Sequence, residues 1–142
     1  MSEALASLTA ACPEEPPDTL YEVIDGRVVE KALKGAFETW IAARLATLMN
    51  RADVVGGFGQ IVPEMLFKLP SRRDLKRRLD LAFVSFARWA EDRAAPVEEA
   101  WDVVPDLAVE VISRSNSFTE VVDKLDDYFQ AGVRLAWAIT LI

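Results

Sequence analysis

Histidine is missing from all 142 residues. Its absence removes zinc sites built on imidazole, histidine-based catalytic triads and histidine general bases. Cysteine appears once, at Cys12, so neither an intrachain disulfide nor a CxxC motif can form, which suits a reducing compartment. No stretch approaches the roughly 18 apolar residues of a membrane-spanning helix. Residues 4–12 are small and apolar, but Glu3 precedes them where a secretory signal needs Lys or Arg. A soluble cytoplasmic protein with no membrane partner is therefore expected. An overall excess of base is lacking too: 23 acidic residues face 16 Lys and Arg, for a net charge of −7. That excludes a general polyanion-coating protein.

What remains is enough for one domain. Hydrophobic residues make up 51% of the chain, including seven Phe and four Trp, so a sizeable core can form. Residues 1–17 read as a leader, because Pro13, Pro16 and Pro17 cannot share a regular element. Residues 18–142 form the folded unit. Asp25-Gly26 between the apolar runs Tyr21–Ile24 and Arg27–Val29 predicts a hairpin with a type I′ turn. Phe37, Ile41, Leu45 and Leu48 recur at helical spacing and predict a helix over residues 34–50 with that stripe inward. Gly56, Gly57 and Gly59 lack a following helix pattern, so they read as a turn or bulge rather than a phosphate cradle.

Residues 60–69 read as extended, Leu79–Val84 as a strand, Phe86–Asp92 as one or two helical turns, and Ala94–Pro105 as a surface connection. Leu107–Ile112 reads as a strand buried on both faces. Ser117 with Glu120 forms a capping box, with Phe118, Val121, Val122, Leu125 and Phe129 as the apolar face and Gly132 as the stop. Val133–Ile142 is a final strand. Together these elements predict an α/β (α+β) layer fold around a central sheet.

Two acids lie inside apolar strands. Asp80 interrupts Leu79–Val84, and Glu110 interrupts Leu107–Ile112. A buried carboxylate must be paired, hydrogen-bonded or metal-bound. On adjacent strands the two would repel, and a divalent cation would relieve that repulsion. With oxygen ligands alone, the ion would be Mg²⁺ or Mn²⁺. Alternatively, Asp80 caps a strand end and Glu110 pairs with an arginine. Lys124 lies at the flank of its helix stripe, beside Val121 and Tyr128. From there it reaches over the sheet or pairs with Glu120. Two carboxylates, a divalent ion and one lysine can hydrolyse a phosphodiester. Arg72, Arg73, Lys76, Arg77 and Arg78 place five cations in seven residues. They form either a solvated loop or a DNA-phosphate contact next to the Asp80 strand.

Four segments resemble one family in series. Tyr21–Glu30 resembles the YELIDGxxVE opening of the bacterial Uma-two family of candidate restriction endonucleases. Leu79–Val84 resembles its RPDVAFV segment, with Leu79 in place of the proline. Pro105–Ser113, followed by Ser115-Asn116, resembles PDLAVEVLS. Lys124, Tyr128, Ala131-Gly132-Val133 and Trp137 resemble the KxxxYxxAGVxxxW close. The resemblance implies a PD-(D/E)XK nuclease-like core of α-β-β-β-α-β order behind the N-terminal hairpin. It implies metal binding by Asp80 and Glu110. Lys124 would stand in for the usual motif lysine, whose position Ile112 holds, and Glu22 and Gln60 would lie on the rim. Family members continue past the position of Trp137, so the resemblance also implies a missing C-terminal part.

The function expected is metal-dependent DNA endonuclease activity. The alternative is an inactive or truncated module that associates with a protein or with itself, as a homodimer through the final strand. No nucleotide or cofactor fingerprint supports a small-molecule enzyme.

Overall fold

The computed structural model describes residues 19–140, so the expected leader with Cys12, and the last two residues of the chain, lie outside the described residues. The order is β1 (Tyr21–Ile24), β2 (Arg27–Glu30), α1 (Ala36–Met49), a π-helical turn (Ala52–Gly56), β3 (Gly59–Lys68), β4 (Leu75–Ser85), β5 (Leu107–Ile112), α2 (Phe118–Ala131) and β6 (Leu135–Thr140). The hairpin forms as its sequence requires: Asp25 and Gly26 take φ of 55° and 75°, the positive values a type I′ turn needs.

One mixed sheet holds six strands among the described residues. Strand β4 is its spine. β3 pairs antiparallel along β4 from Lys76 to Ser85. On the opposite edge β1 pairs only at Leu75 and Lys76, while β5 pairs at Leu81–Phe83. The sheet therefore forks, and β4 has no strand on that side from Arg77 to Asp80. The β5–α2–β6 crossover makes the parallel pair, and β6 ends the sheet.

The helices cover opposite faces. Ala42, Leu45, Ala46 and Met49 of α1 pack with Leu81, Val109 and Ile61. Leu125, Tyr128 and Ala131 of α2 pack with Ala82, Val84 and Ala108. Both apolar stripes differ from expectation. Phe37 and Leu48 are about half exposed, and Phe118 is 84% exposed, with Val122 and Phe129 also exposed. In α1 the alanine ridge lets the helix approach the sheet closely. In α2 the roll brings the Tyr128 hydroxyl to Glu110, which the outward roll of Phe118 and Phe129 accompanies.

Other corrections are local. Phe86–Asp92 forms turns, not helix. The stretch expected as a surface connection carries Trp101, buried against Phe67 and Trp89, and its backbone bonds to β3. Ser117 caps α2 by accepting from the Glu120 amide, but the Glu120 carboxylate accepts from Asn116 instead of completing the box. Gly132 ends α2 at φ 107° as expected. No helix among the described residues is long and apolar enough to cross a membrane.

Gly59 marks where β3 presses on β4. A Cβ there would lie 2.4 Å from the Val84 carbonyl oxygen and 2.6 Å from the Phe83 ring. Gly59→Ala should cost about 2 kcal/mol or more in urea unfolding, the scale of an overpacked core. An unchanged midpoint would mean that the two strands have room to part.

Candidate functional site

The fork leaves backbone groups of β4 without a neighbouring strand, and side chains satisfy them. The Glu22 carboxylate of β1 accepts from the Arg78 amide (2.9 Å) and from the Arg77 guanidinium (3.2 Å). Lys31, just after β2, donates to the Arg78 carbonyl (2.9 Å). Asp80 Oδ2 accepts from the Val111 amide of β5 (2.7 Å). On the β3 side the ladder skips Glu64 and Asp80 between Pro63↔Leu81 and Met65↔Leu79. Glu64 takes a left-handed φ of 51°, and its carbonyl accepts from the Arg78 guanidinium (2.8 Å). Pro63 supplies no amide, which suits a break in the ladder at this point. A strained non-glycine residue thus stands directly opposite Asp80.

Asp80 and Glu110 meet at this break. The last β4–β5 pair is Leu81↔Val109, and just beyond it Asp80 accepts from the amide of Val111, the residue after Glu110, with its charge acting on Glu110. Both are buried, but their environments differ. Asp80 Oδ1 accepts from Lys31 Nζ (2.9 Å), and Lys34 Nζ lies 3.7 Å from Oδ2. Burial opposes its ionisation. The charge and hydrogen bond of Lys31, then Lys34 and the Val111 amide, outweigh burial and hold the carboxyl below its usual range. The same cluster raises Lys31: burial works against its charge, but Glu110, Asp80 and Glu64 together prevail.

Glu110 has no such partner. One oxygen accepts from the Tyr128 hydroxyl, and Oε2 is buried without a hydrogen-bond partner among the described residues. Burial first, and the neighbouring Asp80 charge second, push its carboxyl up to about 7, although Lys31, Lys124 and Tyr128 pull the other way. Tyr128 itself is raised by burial and by Glu110 and Glu22.

The remaining candidates divide. Lys124 is half-buried, acts electrostatically on Glu110, and lines a cavity of about 410 Å³ together with Glu22, Lys31, Lys34 and Arg77. Asp80 lines a second cavity of about 340 Å³ on the α1 side, and Lys34 lines both. Gln60 stands apart. It pairs with Val84, four residues along β4 from Asp80, or about 13 Å of strand.

The basic stretch is not the loop expected, since Leu75 already begins β4. Arg77 is buried between Glu22 and Asp127, and Arg73 pairs with Asp25 and Asp127. Arg78 bonds to the carbonyls of Tyr21 and Glu64 and lies over the Tyr21 ring. Arg72 and Lys76 form no ion pair among the described residues.

Lys31 and Lys34 escaped the sequence reading. They lie in a short segment with neither helical nor strand periodicity, and only the folded chain brings them to Asp80. Their one local signal is two lysines three apart just beyond a hairpin. Asn116 completes their surroundings. Its side-chain oxygen accepts from the Ser113 amide and hydroxyl (both 3.0 Å), and Lys34 approaches to 3.5 Å.

The acid pair suits a hard divalent cation. Its donors are oxygens, and Glu110 Oε2 is a buried acceptor without a hydrogen-bond partner among the described residues. No group of three or more metal-ligating acidic, cysteine or histidine side chains occurs among the described residues.

Comparison with known proteins agrees with this architecture. A model of the Uma2 family, described as "Putative restriction endonuclease", matches residues 5–141. The fold is similar to a crystal structure described as a putative nuclease belonging to DUF820 from Anabaena variabilis. The TM-score is 0.73 at 17% identity, over 89% of this chain and 69% of that one. No curated protein matches the chain.

The raised affinity of Glu110 for a proton has a measurable consequence. An unfolded glutamate releases its proton near 4.5, whereas Glu110 keeps its own to about 7. Between these values the folded chain binds more protons than the unfolded one, so this group makes stability fall as pH rises. The total loss is about 3 kcal/mol, fully developed above pH 7. Denaturant unfolding in chelator should show Glu110→Gln with a flatter profile from pH 5 to 7. Parallel profiles for the two proteins would contradict the assignment.

Proposed function

The chain belongs to the Uma2 family, whose description is putative restriction endonuclease, and from that premise we propose that it is a metal-dependent endonuclease that hydrolyses DNA phosphodiesters. The observation that carries this reading is the pair of buried carboxylates on neighbouring strands, one of which keeps an unpartnered oxygen. Asp80 and Glu110 would hold Mg²⁺ or Mn²⁺, which when bound acidifies a water and offsets phosphate charge.

The chain's own groups divide the remaining work. Lys31 keeps Asp80 ionised at neutral pH. Tyr128 fixes one Glu110 oxygen and so orients the other. Lys124 faces the cavity, where its ammonium group can position the attacking water or meet a phosphate oxygen. Glu22 acts indirectly, by holding Arg77 and the Arg78 amide in the fork. Among the basic residues, Arg72 and Lys76 are the ones to meet the DNA backbone, because Arg73 and Arg77 already serve Asp127. Local cations of this kind reconcile a net charge of −7 with an anionic substrate.

A second reading draws on β6. Among the described residues this strand ends the sheet, with Leu135 half exposed and Trp137 38% exposed. Such an edge can pair with a second copy. Sedimentation that shows a monomer at all concentrations would remove it.

The nuclease reading predicts nicking of plasmid DNA in Mn²⁺ or Mg²⁺. Asp80→Asn and Glu110→Gln should each lose about 100-fold or more, and Lys124→Ala about 10-fold or more. Absence of cleavage with every metal, or equal cleavage by wild type and variants, would overturn it.

A further inference from the structure

Two ammonium groups already sit on the oxygens around the acid pair. Lys31 Nζ lies 2.9 Å from Asp80 Oδ1, 2.9 Å from the Arg78 carbonyl oxygen and 3.4 Å from Glu64. Lys34 Nζ lies 2.7 Å from the Val111 carbonyl oxygen and 3.7 Å from Asp80 Oδ2. Val111 directly follows Glu110, so its carbonyl borders the pair from the main chain.

Both lysine side chains are largely shielded, at 5% and 12% exposure. Both come from one short segment, residues 31–35, which joins β2 to α1 and belongs to neither. A cation approaching Asp80 therefore meets a carboxylate whose two oxygens are already engaged, Oδ1 by Lys31 and Oδ2 by the Val111 amide.

We propose that Lys31 and Lys34 form a resident cationic plug over the acid pair, and that a divalent metal ion binds by displacing their ammonium groups. The proposal rests on the reading that Asp80 and Glu110 are the metal ligands. It adds a regulatory device to that site: the β2–α1 segment sets how much metal the protein needs. Coulombic exchange gives the reason. Two monovalent groups on flexible stems offset the Asp80 charge and help keep the fork folded. A doubly charged ion must outcompete them and drive them toward solvent through the cavities that Lys34 lines.

The test is calorimetric titration of the full chain with Mn²⁺. Lys34→Met and Lys31→Met should each bind Mn²⁺ about tenfold or more tightly than wild type, and the double variant more tightly still. Adding Asp80→Asn to the double variant should abolish the gain, which locates it at the pair. Unchanged or weaker binding in the lysine variants, with wild-type binding still dependent on Asp80 and Glu110, overturns the plug and leaves the metal site standing. Absence of Mn²⁺ binding in every variant overturns the metal reading and the plug together. If Lys31→Met does not fold, wild-type protein supplies a second measurement. Amine labelling read by mass spectrometry should show Lys34 several-fold more reactive when Mn²⁺ is added, and an unaltered labelling rate at saturating Mn²⁺ counts against displacement.

Discussion

Between Lys76 and Leu81, strand β4 has a neighbouring strand on one side only. Buried amides and carbonyls cannot go unsatisfied without a cost of about 1–3 kcal/mol each. Side chains therefore take the place of a strand: Glu22 for the Arg78 amide, Lys31 for the Arg78 carbonyl, Asp80 for the Val111 amide. Each substitute carries a charge, so each brings a counter-charge with it. The polar cluster inside this sheet is thus a direct consequence of where β1 stops and β5 begins.

The same fork gives the two central acids different hydrogen-bond partners. Asp80 accepts from Lys31, whereas Glu110, one strand further, accepts from Tyr128. Asp80 is held below the usual carboxylate range and Glu110 is pushed up to about 7, a division that environment alone produces from two carboxylates. Removing Lys31 would leave Asp80 both buried and short of its main counter-charge. Breaking such a pair ordinarily costs about 3–5 kcal/mol. The lysine thus supports folding.

Features governed by a few adjacent residues were legible in the sequence. Asp25-Gly26, the Ser117 cap and the Gly132 stop depend on local backbone geometry, and each forms where its chemistry requires. Asp80 and Glu110 were legible for another reason: an acid inside an apolar strand violates burial rules and so marks itself. The faces of α1 and α2 were not. Periodicity finds a stripe, but α1 carries alanines beside its larger residues, and contact with the sheet favours the smaller ridge. Lys31, Lys34 and the left-handed Glu64 were also hidden, because each takes its role from partners at least 14 residues away in the chain, such as Arg78 for Glu64.

The basic stretch shows how charge counting misleads once a chain folds. Five cations in seven residues suggest an outward patch. Yet Arg73, Arg77 and Arg78 turn inward or sideways, toward Asp25, Asp127, Glu22 and main-chain carbonyls. Strand alternation forces part of this: on β4 consecutive side chains point to opposite faces, so a run of basic residues cannot all face one partner. The rest follows from the fork, which needs buried positive charge to hold Glu22 and Asp127 in place. Much of the protein's basic charge is thus structural, and the positive potential left for a polyanion is smaller than composition implies.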